Sequence, residues 1–183
     1  MFRHLDGPSE RLRDMKRLLL LRHAKSDWDS GVAGDHDRPL AGRGRKAARA
    51  TGRFIALAGL EPDYAITSSA IRARTTLALA MESGDWTCPV NETSELYHAG
   101  VADVLAVVAE SPEADSSVMI VGHQPTWGGV VEALTGGATR MATGTLVGID
   151  LRIDSWSSIR PGFGELAFVI PPRLLTDGNI QLG

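Results

Sequence analysis

Cysteine is almost missing from this chain. Cys88 stands alone, so no internal disulfide can form, which excludes a disulfide scaffold and fits a reducing compartment. Long apolar runs are missing too. The run Leu18–Leu21 near the start falls far short of the ~20 residues a membrane span needs. Residues 1–16 mix Arg3, Asp6, Glu10, Arg11, Arg13 and Asp14 and lack the apolar stretch of a signal peptide, so a cytoplasmic protein with no membrane partner is expected. Charge of one sign is not in excess: the formal net charge is −3, which gives nucleic acid nothing to bind by bulk electrostatics. The five histidines, His4, His23, His36, His98 and His123, contain no His-x-x-x-His pair. With a single cysteine beside them, neither a metal site nor a cofactor is expected. Repeats, low-complexity tracts and linkers are absent as well.

What remains is ordinary for a globular chain: 183 residues, 43% apolar and 22% charged. That length suits one domain burying roughly 70% of its unfolded surface. Residues 1–16 read as an N-terminal extension free to fray, and 17–183 as the domain. Arg17–Arg22 is short and continuously apolar between its ends, as a buried strand would be. Asp27–Pro39 is a long polar loop, and long loops in compact domains are often functional. Helices are expected over Ala41–Leu60, Ile71–Met81, Asp103–Glu110 and Trp127–Leu134. Strands are expected over Tyr64–Ile66, Pro89–Glu92, Ser117–Gly122, Thr145–Ile153 and Glu165–Ile170. This alternation predicts an α/β three-layer sandwich around a mostly parallel sheet. The last two strands follow each other without a helix, which predicts an antiparallel edge strand.

Sites in such sheets form at the carboxyl ends of the strands. Arg22-His23 ends the first strand, Arg72 lies just past the Tyr64–Ile66 strand, and His123 ends the Ser117–Gly122 strand. A lone histidine is more often structural, but three separate segments here aim basic groups at one sheet edge. Two imidazoles and two guanidiniums together can attack and hold a phosphoryl group.

Five segments carry a resemblance. They are Leu18–Ser26 (LLLLRHAKS) with Asp35-His36-Asp37-Arg38-Pro39-Leu40 and Gly44, then Ser68–Thr76 (SSAIRARTT), Gly122-His123-Gln124-Pro125, Met141–Thr145, and Pro171-Pro172. From about residue 17 to 172 the chain resembles the histidine phosphatase superfamily, and within it the SixA-type phosphohistidine phosphatases. Thr75 stands where that family commonly has Gln, and Trp127 where it commonly has Leu. Neither departure touches the four basic residues. The resemblance implies a phosphoglycerate mutase-like fold and a metal-independent phosphatase. His23 would be the nucleophile, its second ring nitrogen held as a donor by a backbone carbonyl. Arg22 and Arg72 would clamp the phosphoryl oxygens, and His123 would donate to one of them.

Around these four, Ser26 offers a hydroxyl to the phosphate and Lys25 offers long-range attraction; a solvated loop is an equal reading for both. Asp35, Arg38 and Pro39 shape the long loop, unless Arg38 faces substrate. Glu95 is the positional match for a general acid, with Glu92 second, and a surface glutamate ahead of a buried Leu96 is an equal reading. The leaving group decides how much an acid matters. An alkoxide needs a proton donor, whereas imidazole, with a pKa of about 6.5, leaves with far less help. Phosphohistidine on a protein is therefore the expected substrate. Small phosphoesters are the alternative within the family, and a phosphate-sensing module without turnover is the non-enzyme alternative. Gly42-Arg43-Gly44-Arg45-Lys46 lacks both the Walker spacing and a third glycine, and is better read as a helix start with a basic exposed face. Nothing in the sequence fixes an oligomeric state.

Overall fold

The structure, a computed structural model, describes residues 15–177. The expected extension over residues 1–14 lies outside the described residues. One mixed sheet organises the rest. Its strands are β1 (Lys16–Arg22), β2 (Tyr64–Ser68), β3 (Val90–Thr93), β4 (Ser117–Gly122), β5 (Leu146–Leu151) and β6 (Gly164–Ile170). They lie in the order β3-β2-β4-β1-β5-β6. The first four of that row run parallel. β5 pairs antiparallel with β1, and β6 antiparallel with β5, so the sheet closes on the antiparallel edge expected from the helix-free final strands.

The helices are α1 (Gly42–Leu57), α2 (Ile71–Gly84), α3 (Val101–Ala109), α4 (Thr126–Thr135) and a short α5 (Pro172–Thr176). They cover both faces of the sheet. In β1, Leu18 and Leu20 point to one face and pack with Val104, Val108, Val130 and Leu134 of α3 and α4. Leu19 and Leu21 point to the other and pack with Ile55 of α1 and Ala73, Leu77 and Ala80 of α2. The strand's period of two thus feeds two separate cores. All four leucines have no exposed surface, and burial of such a side chain is worth roughly 1.5–3 kcal/mol. Helix α1 crosses α2 closely at Gly52, where a Cβ would run into the carbonyl of Ala80.

Element boundaries moved by a few residues from expectation. α1 ends at Leu57 rather than Leu60, and α2 runs on to Gly84, where Ser83 donates to the Arg49 carbonyl of α1 and Asp85 then turns the chain in the left-handed region. Sequence periodicity gave no warning of α5 or of two 3₁₀ turns, Ser94–Leu96 and Trp156–Ser158, since elements of one turn hold too few residues to show a period. Among the described residues, no helix is long and apolar enough to cross a membrane.

Candidate active site

The carboxyl ends of β1, β2 and β4 open into a cavity of about 560 Å³. Arg22, His23, Arg72 and His123 all line it, so the four basic residues singled out in the sequence meet in one hollow. Ser26, Lys25 and Arg38 line it too.

His23 is pinned on every side. Its N–H donates to the Gly122 carbonyl across the sheet (2.9 Å), and the Gly144 N–H donates to its carbonyl (3.1 Å). The next N–H, that of Ala24, donates to the Thr76 hydroxyl (3.0 Å), which itself donates to the Arg72 carbonyl in the first turn of α2 (2.6 Å). Gly44 completes the clamp. Its missing Cβ lets the first turn of α1 lie directly on the Lys25 backbone.

The ring chemistry follows from one contact. His23 Nδ1 lies 2.8 Å from the Ala24 carbonyl oxygen, which can only accept. Nδ1 therefore carries the proton, and in the neutral ring Nε2 carries a lone pair. Burial is the main influence on its pKa and lowers it to about 4. The Ala24 bond acts in the opposite sense, while Arg72, Arg22 and Arg38 repel a further proton. The site therefore holds His23 as a neutral ring of fixed tautomer at neutral pH.

His123 faces it, with ring centroids 5.1 Å apart. The Arg72 guanidinium approaches His123 Nδ1 at 3.4 Å, and Nε2 lies 2.8 Å from the Ser68 hydroxyl. Arg72 can only donate, so Nδ1 accepts and Nε2–H donates to Ser68. Burial first, then the neighbouring His23 and Arg72, lowers the pKa of His123 to about 3.

Cationic charge exceeds anionic charge in the cavity. Arg22 donates to the Met141 carbonyl (2.6 Å), which ties it to the Met141–Thr145 segment, and burial lowers its pKa. Asp35 is the carboxylate among the described cavity-lining residues, and it serves three partners: Arg38 (2.6 Å), Arg72 (2.8 Å) and the Tyr97 hydroxyl (3.0 Å). Burial pushes its pKa up, but Arg72, the Tyr97 hydroxyl and Arg38 together outweigh this, so its carboxyl stays below the usual carboxylate range. Buried nitrogens of all three arginines, among them Nε of each, lack hydrogen-bond partners among the described residues. One carboxylate against three guanidiniums leaves a deficit that an anion of two or more charges would fill.

Glu95 is not brought to the site. It sits exposed in the 3₁₀ turn, outside the lining residues, while Leu96 and Tyr97 beside it turn inward. Glu92 is tied to Arg74 on the surface (3.0 Å). Asp35 does pair with Arg38 in shaping the long loop, as expected. Its bridge to Arg72 and the Tyr97 hydroxyl has no sequence signal, because those groups meet only through tertiary packing. Thr143 and Ser68 also reach the site or its histidine, each within a segment already singled out. No group of three or more potential metal ligands occurs among the described residues.

Comparison with known proteins agrees with this geometry. The profile described as Histidine phosphatase superfamily (branch 1) matches residues 18–98. An uncharacterised protein of Mycobacterium leprae is 35% identical over 122 residues, covering 65% of this chain and 73% of its own length. The solved structure of a proposed phosphohistidine phosphatase SixA from Nakamurella multipartitia superposes with a TM-score of 0.76 at 30% identity, covering 86% of this chain and 96% of that one. A second proposed SixA, from Agrobacterium tumefaciens, gives 0.74 at 27% identity, covering 86% and 98%.

Proposed function

Since the chain belongs to the histidine phosphatase superfamily, we propose that it is a phosphatase that hydrolyses phosphohistidine on a protein through a covalent phospho-His23 intermediate. The observation that carries this reading is the Nδ1–H bond from His23 to the Ala24 carbonyl, which leaves Nε2 as the attacking atom.

In the first step the Nε2 lone pair of His23 forms a bond to phosphorus. The P–N bond to the substrate breaks, and its electron pair stays on the substrate imidazole nitrogen. Arg22 and Arg72 hold the phosphoryl oxygens, and His123, whose Nδ1 accepts from Arg72, helps to hold that guanidinium in place. In the second step water attacks phosphorus, the P–Nε2 bond breaks and the pair returns to His23. Splitting one displacement into two is the gain of covalent catalysis.

The choice of a P–N substrate rests on the carboxylates. Glu95 lies outside the cavity, and Asp35 is held ionised by two guanidiniums and a phenol, so it has no proton to give. A substrate imidazole protonated from solvent on its far nitrogen departs as a neutral ring and needs no such acid. A cytoplasmic setting belongs to the same reading, supported by the single free cysteine, Cys88.

The test has two parts. Labelled phosphoryl should be trapped on His23, stable at alkaline pH and labile in acid, and should vanish in His23→Ala. A phosphohistidine peptide should also be turned over in preference to a panel of sugar phosphates. Preference for the sugars would assign the site to small phosphoesters. Phosphate binding with no trapped label would leave a sensing module.

A further inference from the structure

Helix α1 carries five of the chain's 19 lysines and arginines, namely Arg43, Arg45, Lys46, Arg49 and Arg53, and no acidic residue between Gly42 and Leu57. The chain as a whole is acidic, so this is a local concentration rather than a general bias. Arg45, Arg49 and Arg53 recur every four residues with Lys46 beside them, which sets them on one face of the helix. Arg43, Arg45, Lys46 and Arg53 are exposed, and no acidic partner occurs for them among the described residues. Glu82 of α2 reaches Arg49 at 3.6 Å.

The arrangement works against the helix that bears it. Cations in the first turn face the positive end of the helix dipole, and like charges four apart repel. Ala41 at the N-cap supplies no side-chain bond in compensation. Residues placed against local stability tend to serve something else.

Position suggests what that is. The Ala41 N–H donates to the Lys25 carbonyl (3.0 Å), the first turn of α1 rests on the Lys25 backbone, and Lys25 lines the cavity. The N-terminal turn of α1, which carries Arg43 and Arg45 with Lys46 next along the helix, therefore abuts the cavity rim at Lys25. On the same rim stands Trp28, 70% exposed, with the Arg38 guanidinium 3.4 Å from its ring centre. An exposed indole fixed by stacking at the mouth of a site resembles the anchors that dominate protein interfaces.

We infer that Trp28, Lys25 and the basic face of α1 form a docking surface for a protein whose phosphorylated side chain is flanked by acidic residues. This rests on the phosphohistidine reading above and names the partner's chemistry. An exposed indole on the rim of a pocket for one phosphoryl group fits a protein, whose apolar side chains can cover the ring while its acidic residues meet the cations of α1.

The experiment uses three probes on the full chain: free phosphohistidine, and two phosphohistidine peptides of equal length, one flanked by Asp and Glu, the other by Lys. The acidic peptide should be favoured in kcat/KM by about tenfold at low salt, with the preference shrinking as salt screens it. The triple variant R45E/K46E/R53E should abolish or invert the preference while changing turnover of free phosphohistidine by less than about twofold. All three positions are exposed, and Glu at 45 and 46 suits the positive end of the helix dipole, so the fold is kept; circular dichroism and the melting temperature check this. Equal use of both peptides by the parent chain, or an unchanged preference in the variant, overturns the docking surface and leaves the chemistry standing. Failure to turn over any of the three probes overturns the phosphohistidine reading itself. Displacement of the acidic peptide by an equal concentration of single-stranded oligonucleotide assigns the face to nucleic acid and also overturns the proposal.

Discussion

Lowering the pH should expose the state of His23 more directly than any substitution. An ordinary histidine titrates near 6.5, so at pH 5.5 only about 9% of it would remain neutral. With its pKa lowered to about 4, His23 would be about 97% neutral at the same pH, a gain of about tenfold in competent nucleophile. Stability moves with the same proton. The unfolded ring takes it up near 6.5 and the folded ring near 4, so between those values the unfolded chain binds more protons and acid favours it. The stabilisation is whole above about 6.5 and gone below about 4; a difference of about 2.5 units corresponds to about 3 kcal/mol. The ring is only 7% exposed, so solvent screening takes little from that figure. Long-range nitrogen–proton NMR of the imidazoles, with His23 identified by its loss in His23→Gln, reads both tautomer and titration. Nδ1 should bear the proton at pH 7, and no more than about a tenth of the ring should be charged at pH 5. A midpoint between 6 and 7, or a proton on Nε2, would refute the reasoning.

Other perturbations act through the frame around the ring. Thr76→Val keeps the shape but strands the buried Ala24 N–H; thermal unfolding should show a loss of about 1–3 kcal/mol, and kcat should fall. Gly44→Ala drives a methyl into the Lys25 carbonyl, which should cost about 1–3 kcal/mol in denaturant titration and raise KM. Gly42→Ala, two residues earlier in open space, should instead stabilise by up to about 1 kcal/mol. Glu95→Gln should change kcat by less than about twofold on either substrate class, against the roughly 10²–10⁴ lost with a true general acid.

Much of this was legible in the residues. The leucine run with its alternating faces announced a buried strand, and RH, IRA and GHQP each followed such a strand, so topology alone brought Arg22, His23, Arg72 and His123 to one edge. The carbonyl partner of His23 was expected in kind. The identity of that carbonyl as Ala24, one residue on, required the turn to be seen. Glu95 shows the opposite case: it is the positional match for a general acid, but the 3₁₀ turn aims Leu96 and Tyr97 inward and leaves Glu95 exposed. One-residue rotations of this kind leave no periodic trace. Asp35 was placed correctly in its loop, but its hold on Arg72 spans 37 positions and depends on packing alone.

The Thr76 hydroxyl is the smallest part of this assembly with the widest reach. It accepts from the amide that follows His23 and donates to the carbonyl of Arg72. The backbone after His23 and that of Arg72 are thereby bolted to one spot on α2, and their separation cannot drift while that helix keeps its first turn. Warming that frays only the first turn of α2 should silence turnover before the sheet and the rest of that helix give way.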